Sequence, residues 1–103
     1  MQAVTLESFD QLVARPGIVV IDCSAVWCGP CKQFAPVFAA AAARRTQMTF
    51  ATVDTDAEPA LAAQLDIRAQ PTTVVFRDGA VVYKQVGAMS AAKFDALLDR
   101  FSA

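Results

Sequence analysis

The chain has 103 residues, a length that fits one domain over 1–103, and 55% of them are hydrophobic. Nine basic and ten acidic residues give a formal net charge of −1, so neither nucleic acid nor an anionic membrane surface is an expected partner. The chain contains no histidine, which excludes Ser/His/Asp and Cys/His nucleophile systems and histidine-ligated metal sites.

The first half of the chain alternates predicted strands and helices. A short strand at 2–4 precedes a first helix, for which Ser8 followed by Gln11 predicts a capping box. The run at 18–23 is rich in β-branched residues and apolar on both faces, which is typical of a central strand covered by helices on either side. Apolar residues then recur at helical spacing, so a second helix is predicted over 30–45.

The second half adds a strand, a helix, a hairpin and a final helix. A strand at 48–53 is followed by a short helix with Pro59 in its first turn. The runs 73–77 and 80–86 flank Asp78-Gly79, a two-residue turn pair that strongly indicates an antiparallel hairpin. Ser90 then caps the last helix. This alternation predicts an α/β fold with parallel pairing early and a mixed sheet once the hairpin is added.

The stretch Trp27-Cys28-Gly29-Pro30-Cys31-Lys32 stands between the central strand and the second helix. Two cysteines at this spacing can close a disulfide ring or bind a metal. Structural zinc usually needs four ligands, and the chain offers one pair plus a distant Cys23, so we expect no metal. A thiol attacks only as thiolate, and a place at a helix N-terminus favours the anion of Cys28.

The same six-residue stretch resembles the active site of the thioredoxin family. The resemblance covers nearly the whole chain, because further matching residues fall in the family's order and spacing. They are Asp22, Pro36, Gln70-Pro71-Thr72, Asp78-Gly79 and Val86-Gly87-Ala88.

The resemblance implies a thioredoxin fold, with a central mixed five-stranded β-sheet flanked by four helices. The first strand would lie at an edge and the strand before the cysteines in the centre. It also implies a protein-disulfide reductase with a redox-active Cys28–Cys31 disulfide, no bound cofactor, and a separate NADPH-dependent thioredoxin reductase that recharges it. Two alternatives remain: an oxidase or isomerase of the same fold, and a non-catalytic binding subunit.

Three residues carry the chemistry that the resemblance implies. Cys28 attacks a disulfide in a partner protein, and Cys31 resolves the mixed disulfide. Asp22 acts through water as proton acceptor and donor for Cys31, with a pKa raised by desolvation. Gly29, Pro30 and Lys32 support the pair. Thioredoxins often place a lysine near the carboxylate, and Thr52 occupies the matching position here.

A partner-binding surface is expected beside the cysteines. The resemblance implies that the Gln70–Pro71 bond is cis, which leaves the backbone of Gln70 free to pair with an extended substrate segment. Gln70 departs from the apolar residue commonly found there. Trp27, Thr72, Gly87 and Ala88 complete the expected surface.

The expected location is the cytoplasm, and we expect a monomer. No apolar run approaches the roughly 20 residues that a membrane-spanning helix needs. Residues 1–4 lack the basic and hydrophobic parts of a secretion signal, although a trimmed precursor would have the same sequence.

Overall fold

The computed structural model describes residues 1–102, which form a sheet with helices on both faces. In chain order the elements are β1 (Gln2–Ala3), α1 (Leu6–Val13), β2 (Ile18–Ser24), α2 (Gly29–Arg44), β3 (Thr49–Asp54), α3 (Pro59–Gln64), β4 (Thr72–Arg77), β5 (Ala80–Val86) and α4 (Ala91–Asp99). Within residues 1–102 no helix is both long and apolar enough to cross a bilayer.

The five strands lie in the order β1-β3-β2-β4-β5. Pairing is parallel between β1 and β3 and between β3 and β2, and antiparallel between β2 and β4 and between β4 and β5. The predicted thioredoxin fold is confirmed, with β1 at an edge and β2 in the middle. The sequence 18–24 can take the central place because it is apolar toward both faces of the sheet.

Two cores lie on opposite faces of the sheet. On one face, Phe9 and Leu12 of α1 and Leu61 of α3 pack against the odd-numbered residues of β2. Phe34 and Phe38 of α2 and the buried side of α4 cover the other face, where the even-numbered residues Ile18 and Val20 point. Side chains alternate across a strand, so each residue of β2 is assigned to one core by its parity.

The start of α1 corrects one prediction. Thr5, not Ser8, is the N-cap: its hydroxyl oxygen accepts from the backbone N–H of Ser8 at 3.2 Å, and Ser8 Oγ accepts from the N–H of Thr5 at 3.0 Å. Ser8 therefore takes the N3 position of the capping box, the position that Gln11 was expected to take. A serine can serve at either end of such a reciprocal pair, so spacing alone did not choose between them.

The hairpin between β4 and β5 is confirmed. Asp78 and Gly79 both have positive φ, 51° and 89°, as a tight two-residue hairpin turn requires. The carboxylate of Asp78 also accepts from the N–H of Gly17 at 2.9 Å, which ties the turn to the loop before β2. Strand β5 forms the outer edge, and its Val81 and Val82 are exposed.

We expect Phe38→Ala to destabilise the protein by about 3–5 kcal/mol, since it removes a fully buried ring. Phe38 lies 5.4 Å from Phe50, 5.8 Å from Phe94 and 5.9 Å from Phe34, measured between ring centroids. The measurement is urea unfolding followed by far-UV circular dichroism. Phe101→Ala is the control, because Phe101 is only half buried. Equal losses in the two variants would show that Phe38 does not anchor α2.

Candidate functional site

The two cysteines lie where the chain leaves β2 and begins α2. Cys28 is the N-cap of α2, with extended backbone angles of φ −87° and ψ 116°, and Pro30 stands in the first turn. Proline suits this place because its missing N–H would have no partner there and its φ is already helical. The helix then continues through Pro36 to Arg44.

A disulfide joins Cys28 and Cys31, whose Cα atoms are 5.2 Å apart. Each of the two cysteines is 4% exposed, so neither is more shielded than the other. The disulfide closes a ring of four residues, and both cysteines pack in a small buried cluster with Ala25. The difference between the cysteines is therefore one of hydrogen bonding and not of exposure.

The sulfur of Cys28 receives opposing influences from the backbone. The N–H of Cys31 donates to Cys28 Sγ at 3.2 Å, and this donor from the first turn of the helix favours a sulfur anion. Cys28 Sγ also lies 3.5 Å from the carbonyl oxygen of Gln70, which favours a protonated thiol that can donate to it. In the reduced form these two contacts therefore act in opposite directions on the Cys28 sulfur.

Asp22 is buried in β2 on the face covered by α2 and α4. It is 3% exposed, and burial raises the pKa of Asp22 to about 6. Its Oδ1 atom has no hydrogen-bond partner within residues 1–102. Thr52 of β3 is its neighbour in the strand register, so the position expected to depart from a family lysine does lie beside the carboxylate.

The loop before β4 approaches the disulfide. The Gln70–Pro71 peptide bond is cis, as predicted, and the carbonyl of Pro71 accepts from the N–H of Gly87 at 2.8 Å. Gly87 has a φ of 98°, which a residue with a side chain rarely adopts. Thr72 is buried and its hydroxyl donates to the carbonyl of Ala69 at 2.7 Å, so its side chain shapes the loop and does not face solvent.

A chain of side-chain bonds that the sequence analysis did not find fixes Gln70. Its amide donates to Thr55 Oγ1 at 3.2 Å, and the hydroxyl of Thr55 donates to the carbonyl of Ser24 at 3.3 Å. The loop is thereby attached to the end of β2. These residues are far apart in the chain and carry no local motif, so only the folded structure brings them together.

Several apolar side chains at or beside the predicted site residues are exposed. Trp27 is 65% exposed, and its indole N–H donates to Asp56 Oδ2 at 2.6 Å, which fixes the ring on the surface. Val26 and Val86 are also exposed; Val86 belongs to the matching stretch Val86-Gly87-Ala88, whereas Val26 was not singled out from the sequence. The signal for Val26 was available, since it is an apolar residue directly beside Trp27.

The remaining predicted residues lie on the same surface. Pro30, Lys32 and Ala88 are exposed, and a Cβ built on the exposed Gly29 would meet no atom within 4 Å. The free space beside Gly29 faces outward. Over the residues that the structure describes, no cluster of three or more cysteine or carboxylate side chains is arranged to hold a metal.

Cys23 lies outside this site. It is buried on the face covered by α1 and α3, opposite to Asp22 in strand phase. Burial, with a smaller contribution from the charge of Asp22, raises the pKa of Cys23 to about 12. The thiol is therefore protonated at neutral pH and is kept from reagents in solution.

Comparisons with known sequences and solved structures agree on one family. A family model described as thioredoxin matches residues 1–100. A relative from Streptomyces coelicolor is 44% identical over 88 residues, covering 85% of this chain and 66% of that protein. The thioredoxin of Chlamydia trachomatis is 41% identical over 87 residues, covering 84% of each. The solved thioredoxin of Plasmodium falciparum superposes with a TM-score of 0.92 at 29% identity, covering 99% of this chain and 100% of that one.

We expect Asp22→Asn to stabilise the protein at pH 7 by about 2–3 kcal/mol and to have little effect below about pH 3.5. The pKa of Asp22 in the folded state lies above the ordinary aspartate value of 3.8, so the unfolded chain loses its proton first and stability falls as pH rises from about 4 to about 6. Urea unfolding of both proteins across this range measures the difference. A variant less stable than the parent at pH 7 would show that burial does not penalise this carboxylate.

Proposed function

The chain belongs to the thioredoxin family of thiol–disulfide oxidoreductases, and we propose from this premise that Cys28 attacks partner disulfides and Cys31 resolves the product. The observation that carries the assignment of roles is the N–H of Cys31, which donates to Cys28 Sγ at the start of α2. This donor stabilises a thiolate on Cys28 and has no equivalent on Cys31 among the hydrogen bonds of the described residues.

The reaction proceeds by two sulfur exchanges. The Cys28 thiolate attacks one sulfur of the partner disulfide, so a mixed disulfide forms and the other partner sulfur leaves as a thiolate. The Cys31 thiolate then attacks Cys28 Sγ, which closes the Cys28–Cys31 disulfide and releases the second partner thiolate. The two cysteines lose two electrons and the partner disulfide gains two. The pair is one helical turn apart, and its disulfide already closes in this fold.

Asp22 serves the second exchange as a proton acceptor. Cys31 must lose its proton before it attacks, and a carboxylate with a pKa of about 6 is about 90% ionised at pH 7. The proton passes from the Cys31 thiol to Asp22 through water, and it returns when the disulfide is reduced. Asp22 has the same strand parity as Ile18 and Val20, so it lies on the face of the sheet that α2 covers, and β2 leads directly to the cysteines.

The partner docks as an extended segment beside the cis Pro71. The backbone of Gln70 offers hydrogen bonds to that segment, and the carbonyl of Gln70 already lies against Cys28 Sγ. Trp27, Gly87 and Ala88 supply the surrounding rim, while Thr72 supports the loop from inside. The polar side chain of Gln70, held by Thr55, favours partners with a polar residue at the adjacent position.

A separate thioredoxin reductase that uses NADPH returns the disulfide to the dithiol. The chain carries no glycine-rich nucleotide motif of its own, so the electrons come from outside. We infer a single domain over 1–103 that works as a cytoplasmic monomer and binds no cofactor. Its redox group is the Cys28–Cys31 pair itself.

The roles of the cysteines predict which variant traps partners. With a disulfide-containing substrate, Cys31→Ser accumulates mixed disulfides on non-reducing gels, because nothing displaces the partner from Cys28. Cys28→Ser forms none, and both variants lose insulin reduction. Both are made in a Cys23→Ala background so that the third cysteine contributes no adduct. Trapping by Cys28→Ser alone would reverse the assignment of roles.

The direction of electron flow predicts the reduction potential. A reductase of this type has a reduction potential near −270 mV, whereas that of an oxidase or isomerase lies above about −180 mV. Equilibration with glutathione buffers of known potential measures it. We also expect rapid reduction by a thioredoxin reductase with NADPH, followed as loss of absorbance at the nicotinamide band. A high potential together with no turnover would favour the oxidase or isomerase over the reductase.

A further inference from the structure

A row of polar side chains crosses the sheet on the face covered by α2 and α4. Thr52, Asp22, Thr73 and Gln85 belong to four adjacent strands and are direct register partners from one strand to the next. Their neighbours two residues away on this face, Phe50, Val20, Val75 and Tyr83, are apolar or aromatic. The row therefore interrupts an otherwise apolar surface at the end of the sheet that leads to the cysteines.

Two members of this row have unused hydrogen-bonding atoms. Asp22 Oδ1 and Thr73 Oγ1 are the buried side-chain atoms of residues 1–102 that lack a protein partner. Thr73 is fully buried, and Asp22 is nearly so. An unsatisfied buried polar group costs roughly 1–3 kcal/mol, so two of them on adjacent strands need an explanation.

The register brings these two residues face to face. Asp22 and Thr73 are directly opposite in the antiparallel pair of β2 and β4, which places their Cβ atoms roughly 4.5–5.5 Å apart. The other neighbours are less suitable partners. Gln85 accepts from the hydroxyl of Tyr83 and donates to the carbonyl of Val86, and Thr52 is half exposed.

We propose that the Thr73 hydroxyl donates a hydrogen bond to the Asp22 carboxylate, directly or through one bridging water, and so positions Asp22 for its proton transfer. The last part rests on the proposed function of Asp22, while the hydrogen bond does not. Thr73 has one hydroxyl proton and can rotate about its Cα–Cβ bond, so it can serve the carboxylate without a change of backbone.

This contact has a defined electrostatic effect. Burial disfavours the charged form of Asp22, and a hydrogen bond to the carboxylate opposes that effect. Thr73 thereby lowers the proton affinity of Asp22 below the value that burial alone would give. Without this donor the carboxyl group would hold its proton to higher pH, so a smaller fraction of it could accept a proton from Cys31 near neutral pH.

Other ionisable groups around Asp22 are spread over several elements. Cys28 and Cys31 lie at the start of α2, and Asp54 borders the same cleft as Cys31. On the opposite face, Lys84 of β5 donates to the carbonyls of Leu65 and Asp66. Lys93 and Arg100 of α4 border a cleft with Gln85. Substitution of Thr73 leaves all of these ionisable groups in place.

Replacing Thr73 tests the proposal through the titration of Asp22. In oxidised Thr73→Val, which has nearly the same volume but no hydroxyl, we expect the pKa of Asp22 to rise by about one unit, a tenfold gain in proton affinity. Thr73→Ser keeps the hydroxyl and should titrate within a few tenths of a unit of the parent. The carboxyl carbon of Asp22, observed by ¹³C NMR between pH 4 and pH 9, reports the value directly.

Thr52→Val is the matched control, because it removes the same hydroxyl from the other strand beside Asp22. Water can take the place of the hydroxyl of the half-exposed Thr52, so we expect a clearly smaller shift in the pKa of Asp22. Thr73→Ala removes the hydroxyl with less demand on packing and serves if the valine variant does not fold. The proposal is overturned if the hydroxyl-free variants titrate like the parent, or if Thr73→Ser shifts as much as Thr73→Val.

A kinetic measurement separates this proposal from the role of Asp22. In Thr73→Val the pH midpoint of partner release should rise by the same amount as the pKa, with little change above about pH 8.5. If Asp22→Asn leaves partner release unchanged while the NMR shift in Thr73→Val persists, the hydrogen bond stands and the proton-transfer role fails. If release depends on Asp22 but Thr73→Val shifts nothing, the hydrogen bond fails alone.

Discussion

The first turn of α2 is the constraint on which the site depends. Its free N–H groups can face the sulfur of Cys28 only while the helix is held against the end of β2. That hold comes from Phe34 and Phe38, which are buried four and eight residues after Pro30 and pack against α4 and β3. The aromatic core therefore determines the geometry of the disulfide, although it never touches a partner protein.

The same arrangement makes burial of the charged Asp22 side chain unfavourable for stability. The middle strand β2 is covered on both faces and paired on both edges, so its carboxylate has no simple route to solvent. An apolar residue at this place would give a more stable protein. Natural proteins commonly accept such losses at functional sites, and a carboxylate that titrates close to neutral pH is what a proton acceptor for a thiol requires.

Much of this structure could be predicted from the sequence because the signals are local. The two-faced apolar run of β2, the Asp78-Gly79 turn and the cap at Ser90 each depend on a few adjacent residues, and all are present in the structure. The fold and the cysteine pair followed from the resemblance that the motif carries. The predicted N-cap of α1 was wrong because Thr5 and Ser8 are both suitable N-cap residues, and the sequence alone does not choose between them.

The rest of the site could not be predicted because it is made of contacts between strands. Gln70 reaches Thr55, and Thr73 lies opposite Asp22, only after the register of the sheet is fixed. Equal burial of the two cysteines also depends on closure of their ring and not on their spacing. Threonine is common in strands, so nothing in the sequence separated Thr73 from a residue that merely fills space.

The burial of Cys23 has a consequence for how the protein behaves under oxidative stress. A peroxide converts thiolates far faster than thiols, and Cys23 stays protonated inside the sheet. Damage therefore begins at the paired cysteines, where the ring disulfide is a reversible product. The third sulfur, buried and protonated, is shielded from the thiols and disulfides of neighbouring molecules while the chain stays folded.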